Sequence, residues 1–161
     1  MNYNSKLLLF ILTLSSLAIN APLSIIGLIS QISQYFNTSI AITGLYVSSF
    51  TFTIAIFGLI TPTVFSKFER KATFTVILMI FAISSLIIIF TNNILVASLS
   101  RIISAVFYPA FISIALTVCE EIAPENEKQE YITKILLGIS IGSIVGLPIT
   151  TDLEQYFHIK L

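Results

Sequence analysis

The sequence predicts an all-α membrane protein, a polytopic bundle of about five transmembrane helices within a single domain, residues 1–161. Composition is the first reason. Of 161 residues 56% are apolar and only 10% charged, with a mean hydropathy of +0.98. A soluble domain carries about a quarter charged residues, so too little charge remains here to cover a water-facing surface. Disorder is excluded as well, because such a chain buries apolar surface wherever it can. Charge distribution is the second reason: no Asp, Glu, Lys or Arg lies between Lys6 and Lys67, or between Lys71 and Arg101. The net charge is zero, so no basic field points to nucleic acid. The lone cysteine, Cys119, supports neither a disulfide framework nor a thiolate-paired zinc site.

A spanning helix needs about 20 apolar residues, so the first neutral stretch holds two spans and the second one. Span one covers about residues 7–29. A signal peptide over residues 1–21 is the alternative, with Lys6 as its basic end and Ser16-Leu17-Ala18 as a cleavage-like site. The apolar run to Ile29 is longer than a signal core of about 7–15 residues, which favours a retained span. A short polar turn, Gln31 to Ser39, leads to span two at about 40–65. Span three, about 72–90, ends in the turn Thr91-Asn92-Asn93. Span four is about 94–118 and contains Arg101; span five is about 131–150.

Cations set the orientation. Lys6, Lys67, Arg70, Lys71, Lys128 and Lys134 fall on one side and Lys160 alone on the other. This places the N-terminus in the cytoplasm and the C-terminus outside. The acids of the 4–5 loop, Glu120 to Glu130, weigh little in this rule.

The faces of the spans differ. Span three is Ile, Leu, Phe, Val and Ala nearly throughout, as befits a peripheral, lipid-facing helix. Span one carries Thr13, Ser16, Asn20, Ser24 and Gly27 at steps of three and four, one stripe for helix contacts or a cavity, with Pro22 inviting a kink. Packing and cavity lining both remain open for Asn20. Arg101 lies seven residues into span four, about 10 Å from its end. A central arginine costs about 2.5–3.5 kcal/mol to insert. Ser104 and Tyr108 follow on the same face. Arg101 either snorkels to the headgroups or faces a cavity, where it binds substrate or couples to protons; the polar face favours the cavity. Gly138, Gly142 and Gly146, spaced by four, form a groove for close helix approach, and Pro148 breaks span five near its outer end. His158 lacks a ligand-spaced partner, and Asp152 and Glu154 lie beyond span five. No nucleophile motif, phosphate loop or metal-spaced cluster occurs, so no enzyme activity, metal or cofactor is expected.

In this order of features the chain resembles the major facilitator superfamily, nearest its drug–proton and sugar-efflux antiporters. The family's 2–3 loop motif, Gly-x-Leu-Ala-Asp-Arg-x-Gly-Arg-Lys, falls on residues 62–71. Lys67, Arg70 and Lys71 keep its basic positions, while both glycines and the aspartate are replaced. The span-four arginine of the family falls on Arg101, and its span-five pattern on Gly138, Gly142, Gly146 and Pro148. The resemblance implies the first half of a two-half transporter, with substrate bound between six-helix halves. Spans one and four would line the cavity through Asn20, Arg101, Ser104 and Tyr108, and spans two and five would face the second half. Lys67, Arg70 and Lys71 would form the gating loop. It further implies proton-coupled efflux of a small molecule, in a bacterial inner membrane, by an intact transporter of which this is a truncated N-terminal part. Such a chain needs its missing C-terminal half or a partner subunit, besides lipid, and does not transport alone. Pro22 stands where efflux members often carry an acid, and no Asp or Glu lies within spans one to four. Two other readings fit the residues: a small substrate-binding subunit of a larger complex, like the vitamin-capturing subunits of energy-coupling-factor transporters, and a five-span assembly protein with no ligand.

Overall fold

The computed structural model describes the backbone of residues 3–20 and 29–158, with side chains placed over residues 5–20 and 29–144. The described residues fold entirely into helices and turns. Seven α-helices follow one another: α1 Tyr3–Asn20, α2 Ile29–Tyr35, α3 Ile40–Phe57, α4 Ile60–Phe65, α5 Arg70–Phe90, α6 Ile94–Ile122 and α7 Lys128–His158. Among the described residues α3, α5 and α6 are long and apolar enough to cross a membrane, and the apolar stretch Ser5–Asn20 is shorter. The expected continuation of span one through Pro22, Ser24 and Gly27 lies outside the described residues.

The expected turn at 31–39 is largely helical, because α2 runs to Tyr35. It ends in a Schellman arrangement: the Thr38 amide donates to the Ser33 carbonyl at 2.9 Å and the Asn37 amide to the Gln34 carbonyl at 3.1 Å. Asn37 takes the left-handed conformation this requires, at φ 49°. Asn tolerates that region, whereas a β-branched residue there costs about 1–2 kcal/mol. Asn37→Val is therefore expected to lower the melting temperature of the solubilised protein, and Asn37→Gly to leave it level or raise it.

Span two, expected as one helix over 40–65, comprises α3 and α4, with Gly58 and Leu59 between them still in right-handed helical conformation. Ser39 caps α3 by accepting the Ile42 amide at 3.3 Å. Pro62 then offers no amide to the Gly58 carbonyl and crowds it with its ring, so the hydrogen-bond ladder is interrupted at Gly58-Leu59 while the backbone there stays helical. The Thr61 hydroxyl donates back to the Phe57 carbonyl at 2.9 Å.

The turn at 91–93 is as short as expected, and the Asn93 side chain caps α6 by accepting the Leu95 amide at 2.9 Å. α6 runs one turn past its expected end and carries Pro109 without interruption. The expected break at Pro148 is corrected likewise: α7 stays helical through it to His158. Proline is tolerated in membrane helices because neighbouring groups re-satisfy the freed carbonyl. Asp152, Glu154 and His158 thus sit on helical backbone, and their side chains lie outside the described ones.

The chain divides into two compact units, residues 29–114 and residues 1–28 with 115–161. In the first, α2 packs on α3, and α5 exposes Val76, Met79, Ile83, Leu86 and Phe90, the apolar surface expected of a lipid-facing helix. In the second, α1 and α7 lie side by side over a core that includes Cys119, Tyr131 and Ile135. Thr13 abuts Gly138 and Leu17 abuts Gly142, so the two helices run parallel.

Candidate functional site

Within residues 29–114 a buried cation lies among aromatic rings. Arg101 stands two turns into α6 and is only 5% exposed, so it does not snorkel to the surface. Its guanidinium carbon lies 5.3 Å from the ring centre of Tyr46 and 5.0 Å from that of Phe50, both on α3. These two residues are four apart and therefore share one face of the helix. Each ring presents a negative quadrupole face to the cation. The Arg101 Nε atom is buried and makes no hydrogen bond among the described residues.

No carboxylate within residues 29–114 balances this charge. Glu69 is the only Asp or Glu in residues 29–114. It precedes α5, and Arg101 follows the far end of that helix. The 21 residues of α5 rise about 30 Å, so Glu69 lies well beyond ion-pairing range.

The polar face expected after Arg101 is partly satisfied by its own helix. Ser104 is buried, and its hydroxyl shares its proton between the carbonyls of Ser100 and Arg101, each at 3.1 Å. Ser100 in turn donates to the Ser84 carbonyl of α5 at 3.1 Å, which ties α5 to α6 beside the arginine. Tyr108 is half-buried and extends the aromatic cluster, 5.9 Å from Phe50 and 6.5 Å from Phe81 between ring centres. The fold thus brings Arg101, Ser104 and Tyr108 together with Tyr46 and Phe50. The last two were not legible as site residues: α3 scatters Thr43, Ser48, Ser49, Thr51 and Thr53 around its circumference, so no polar stripe marks the face it turns toward Arg101.

The remaining expected residues lie elsewhere. Asn20 is 1% exposed, donates from Nδ2 to the Ser16 carbonyl at 2.7 Å, and sits against Gly142. Its place is a helix contact. Gly138 and Gly142 do form a close-approach groove, but α1 fills it. This corrects the expectation that the groove faces an absent half of the protein. The surroundings of Gly146 and Pro148 lie outside the described residues. Lys67 is exposed on the short link into α5, where Ser66 donates to the Thr63 carbonyl at 2.8 Å, and Arg70 and Lys71 are exposed in the first turn of α5.

A family model, the Major Facilitator Superfamily, matches residues 8–157. An uncharacterized MFS-type transporter of Bacillus subtilis, YfhI, is 24% identical over 148 residues, 91% of this chain and 37% of the relative. A probable sugar efflux transporter of Pasteurella multocida is 26% identical over 82% of this chain and 33% of its own length. One of the same description from Helicobacter pylori is 28% identical over 91% of this chain and 38% of its own. The chain therefore spans little more than a third of the length of these relatives. No solved structure matches it.

Proposed function

Because the chain belongs to the major facilitator superfamily, we propose that it supplies the N-terminal helices of a secondary transporter that exports a small polyhydroxylated molecule of the sugar class. Arg101 is the cation that engages substrate oxygen. The observation that carries this reading is the buried Arg101 guanidinium, boxed by Tyr46 and Phe50, unmatched by any carboxylate in its unit, and with Nε still unpartnered. A buried charge that lacks an ion pair costs several kcal/mol, so it is retained where it does work on a ligand. Aromatic faces and a planar donor fork suit a ring that carries both C–H faces and hydroxyls. The relatives described as probable sugar efflux transporters support the substrate class.

Transport is proton-driven in this proposal. The titrating carboxylate is supplied outside residues 7–119, because that stretch holds no acid except Glu69. Alternating access belongs to a protein of the relatives' length, in which these helices form one wall of the cavity. In inverted vesicles containing the intact gene product, an inward-acid pH gradient is expected to drive accumulation of a labelled non-metabolised sugar. Accumulation should collapse when a protonophore dissipates the gradient. Accumulation that is absent, or indifferent to the protonophore, would sink the sugar or the proton part of the proposal respectively.

A further inference from the structure

Within residues 29–114 Arg101 is sealed. The rings over its guanidinium, Tyr46 and Phe50, are only 2% and 5% exposed themselves. A ligand meets the cation only after one of these rings moves, and the two are not held alike. Phe50 is backed by Tyr108, which meets Phe81 of α5, so its place is fixed by three helices. Tyr46 lies one turn nearer the start of α3, and the ring beside it is Phe36, 6.3 Å away between centres and tilted by 56°. Phe36 directly follows α2. Its amide donates to the Ile32 carbonyl at 3.0 Å, which puts its half-buried ring on the same face as the buried Ile32.

The end of α2 is itself tied down from outside. Tyr35 packs edge-on against Phe36, with ring centres 4.9 Å apart at 89°. Its hydroxyl donates to Oδ1 of Asn92, in the turn between α5 and α6, at 3.2 Å. Tyr35 and Asn92 are both exposed. A continuous row of contacts therefore runs from a surface hydrogen bond, Asn92 to Tyr35, through Phe36 and Tyr46 to the buried cation.

We propose that the end of α2 is a movable cover over Arg101: the Tyr35–Asn92 hydrogen bond latches it, and Phe36 is the positioning residue that keeps Tyr46 over the guanidinium. This rests on Arg101 as the ligand-binding cation and adds how access to it is controlled. The latch is weak enough to work. An exposed hydrogen bond between neutral groups and one tilted aromatic pair each shift an equilibrium by roughly fivefold, so the cover lifts without unfolding the helices beneath it. The inner wall of Phe50, Tyr108 and Phe81 stays in place, joined by the Ser100 hydroxyl on the Ser84 carbonyl.

The sequence makes the test clean, because Arg70 and Arg101 are its only arginines. The full chain in nanodiscs is treated with phenylglyoxal, and modification of each arginine is timed by mass spectrometry. In the parent, exposed Arg70 should react quickly and Arg101 slowly. Phe36→Ala and the conservative Tyr35→Phe should each speed Arg101 about fivefold and leave Arg70 unchanged. Asn92→Ala should match Tyr35→Phe, and the two together should add nothing further, since both remove the same bond. Phe74→Ala is the control for general loosening. It removes a ring stacked 5.3 Å from Phe111, ten residues or about 15 Å along α6 from Arg101, and should leave Arg101 slow. An Arg101 that reacts as fast as Arg70 in the parent overturns the proposal. So do latch variants that stay as slow as the parent, or a Phe74→Ala that opens Arg101 equally. No sugar is present in this measurement, so failure of the sugar assignment is read separately, in the export assay.

Discussion

Replacing Arg101 with methionine is expected to raise the stability of the protein while weakening the sugar binding proposed for the intact transporter. The two effects come from the same atoms. Taking a guanidinium out of water costs several kcal/mol, which a buried ion pair normally offsets. Here the nearest faces are the rings of Tyr46 and Phe50, at 5.3 and 5.0 Å. A desolvated cation–π contact returns only about 2 kcal/mol. Methionine keeps an unbranched, adaptable chain against both rings and carries no charge. The variant should therefore gain about 1–3 kcal/mol, seen as a higher melting temperature in detergent. A charge-assisted hydrogen bond to substrate oxygen is worth about 1.5–3 kcal/mol, so sugar binding should weaken about 10- to 100-fold. Arg101→Lys keeps the charge but loses the planar fork, and should recover only part of the binding. A variant that melts lower yet exports normally would make Arg101 a structural residue and end its assignment to substrate.

What the sequence made legible follows from how each signal is written. Neutral runs between charge clusters locate apolar helices whatever their packing, which is why α3, α5 and α6 emerge close to their expected positions. The neutral runs carry no information on helix continuity. Pro62 removes one amide and interrupts the ladder at Gly58-Leu59, yet both residues stay helical, and Pro109 and Pro148 lie inside continuous helices. Each span passes through its proline, so proline does not locate a helix end here. Arg101 was legible because a lone cation in an apolar helix needs an explanation. Its box was not, since a Tyr and a Phe in a helix with no polar stripe could face lipid or protein equally well. The glycines of α7 announced a close contact but not its partner, because a smooth groove accepts any helix.

That partner gives the second large effect. A Cβ added at Gly142 would lie 2.5 Å from the Leu17 carbonyl oxygen, 3.1 Å from Leu17 Cα and 3.2 Å from Asn20 Cβ. At Gly138 it would lie 2.7 Å from the Thr13 carbonyl oxygen. These are chiefly backbone atoms of α1, which cannot turn aside as a side chain can. Gly142→Ala should therefore cost about 1–3 kcal/mol, and Gly142→Leu above about 4 kcal/mol, enough to part α1 from α7. Gly44 provides the contrast, with nothing within 4 Å of an added Cβ. Gly44→Ala should be neutral or stabilising by up to about 1 kcal/mol from helix propensity alone. The decisive variant is the double substitution Gly142→Ala with Leu17→Ala. Trimming the Leu17 side chain leaves its carbonyl and Cα where they were, so melting should stay as low as in Gly142→Ala or fall further. Recovery would show that side chains set the spacing and that the glycine contact is incidental. Without recovery, the two helices are held together by backbone approach, and the stripe of Thr13, Ser16 and Asn20 is explained by packing: each hydroxyl or amide bonds back to its own helix at 2.7–2.9 Å, leaving a face slim enough for glycine to meet.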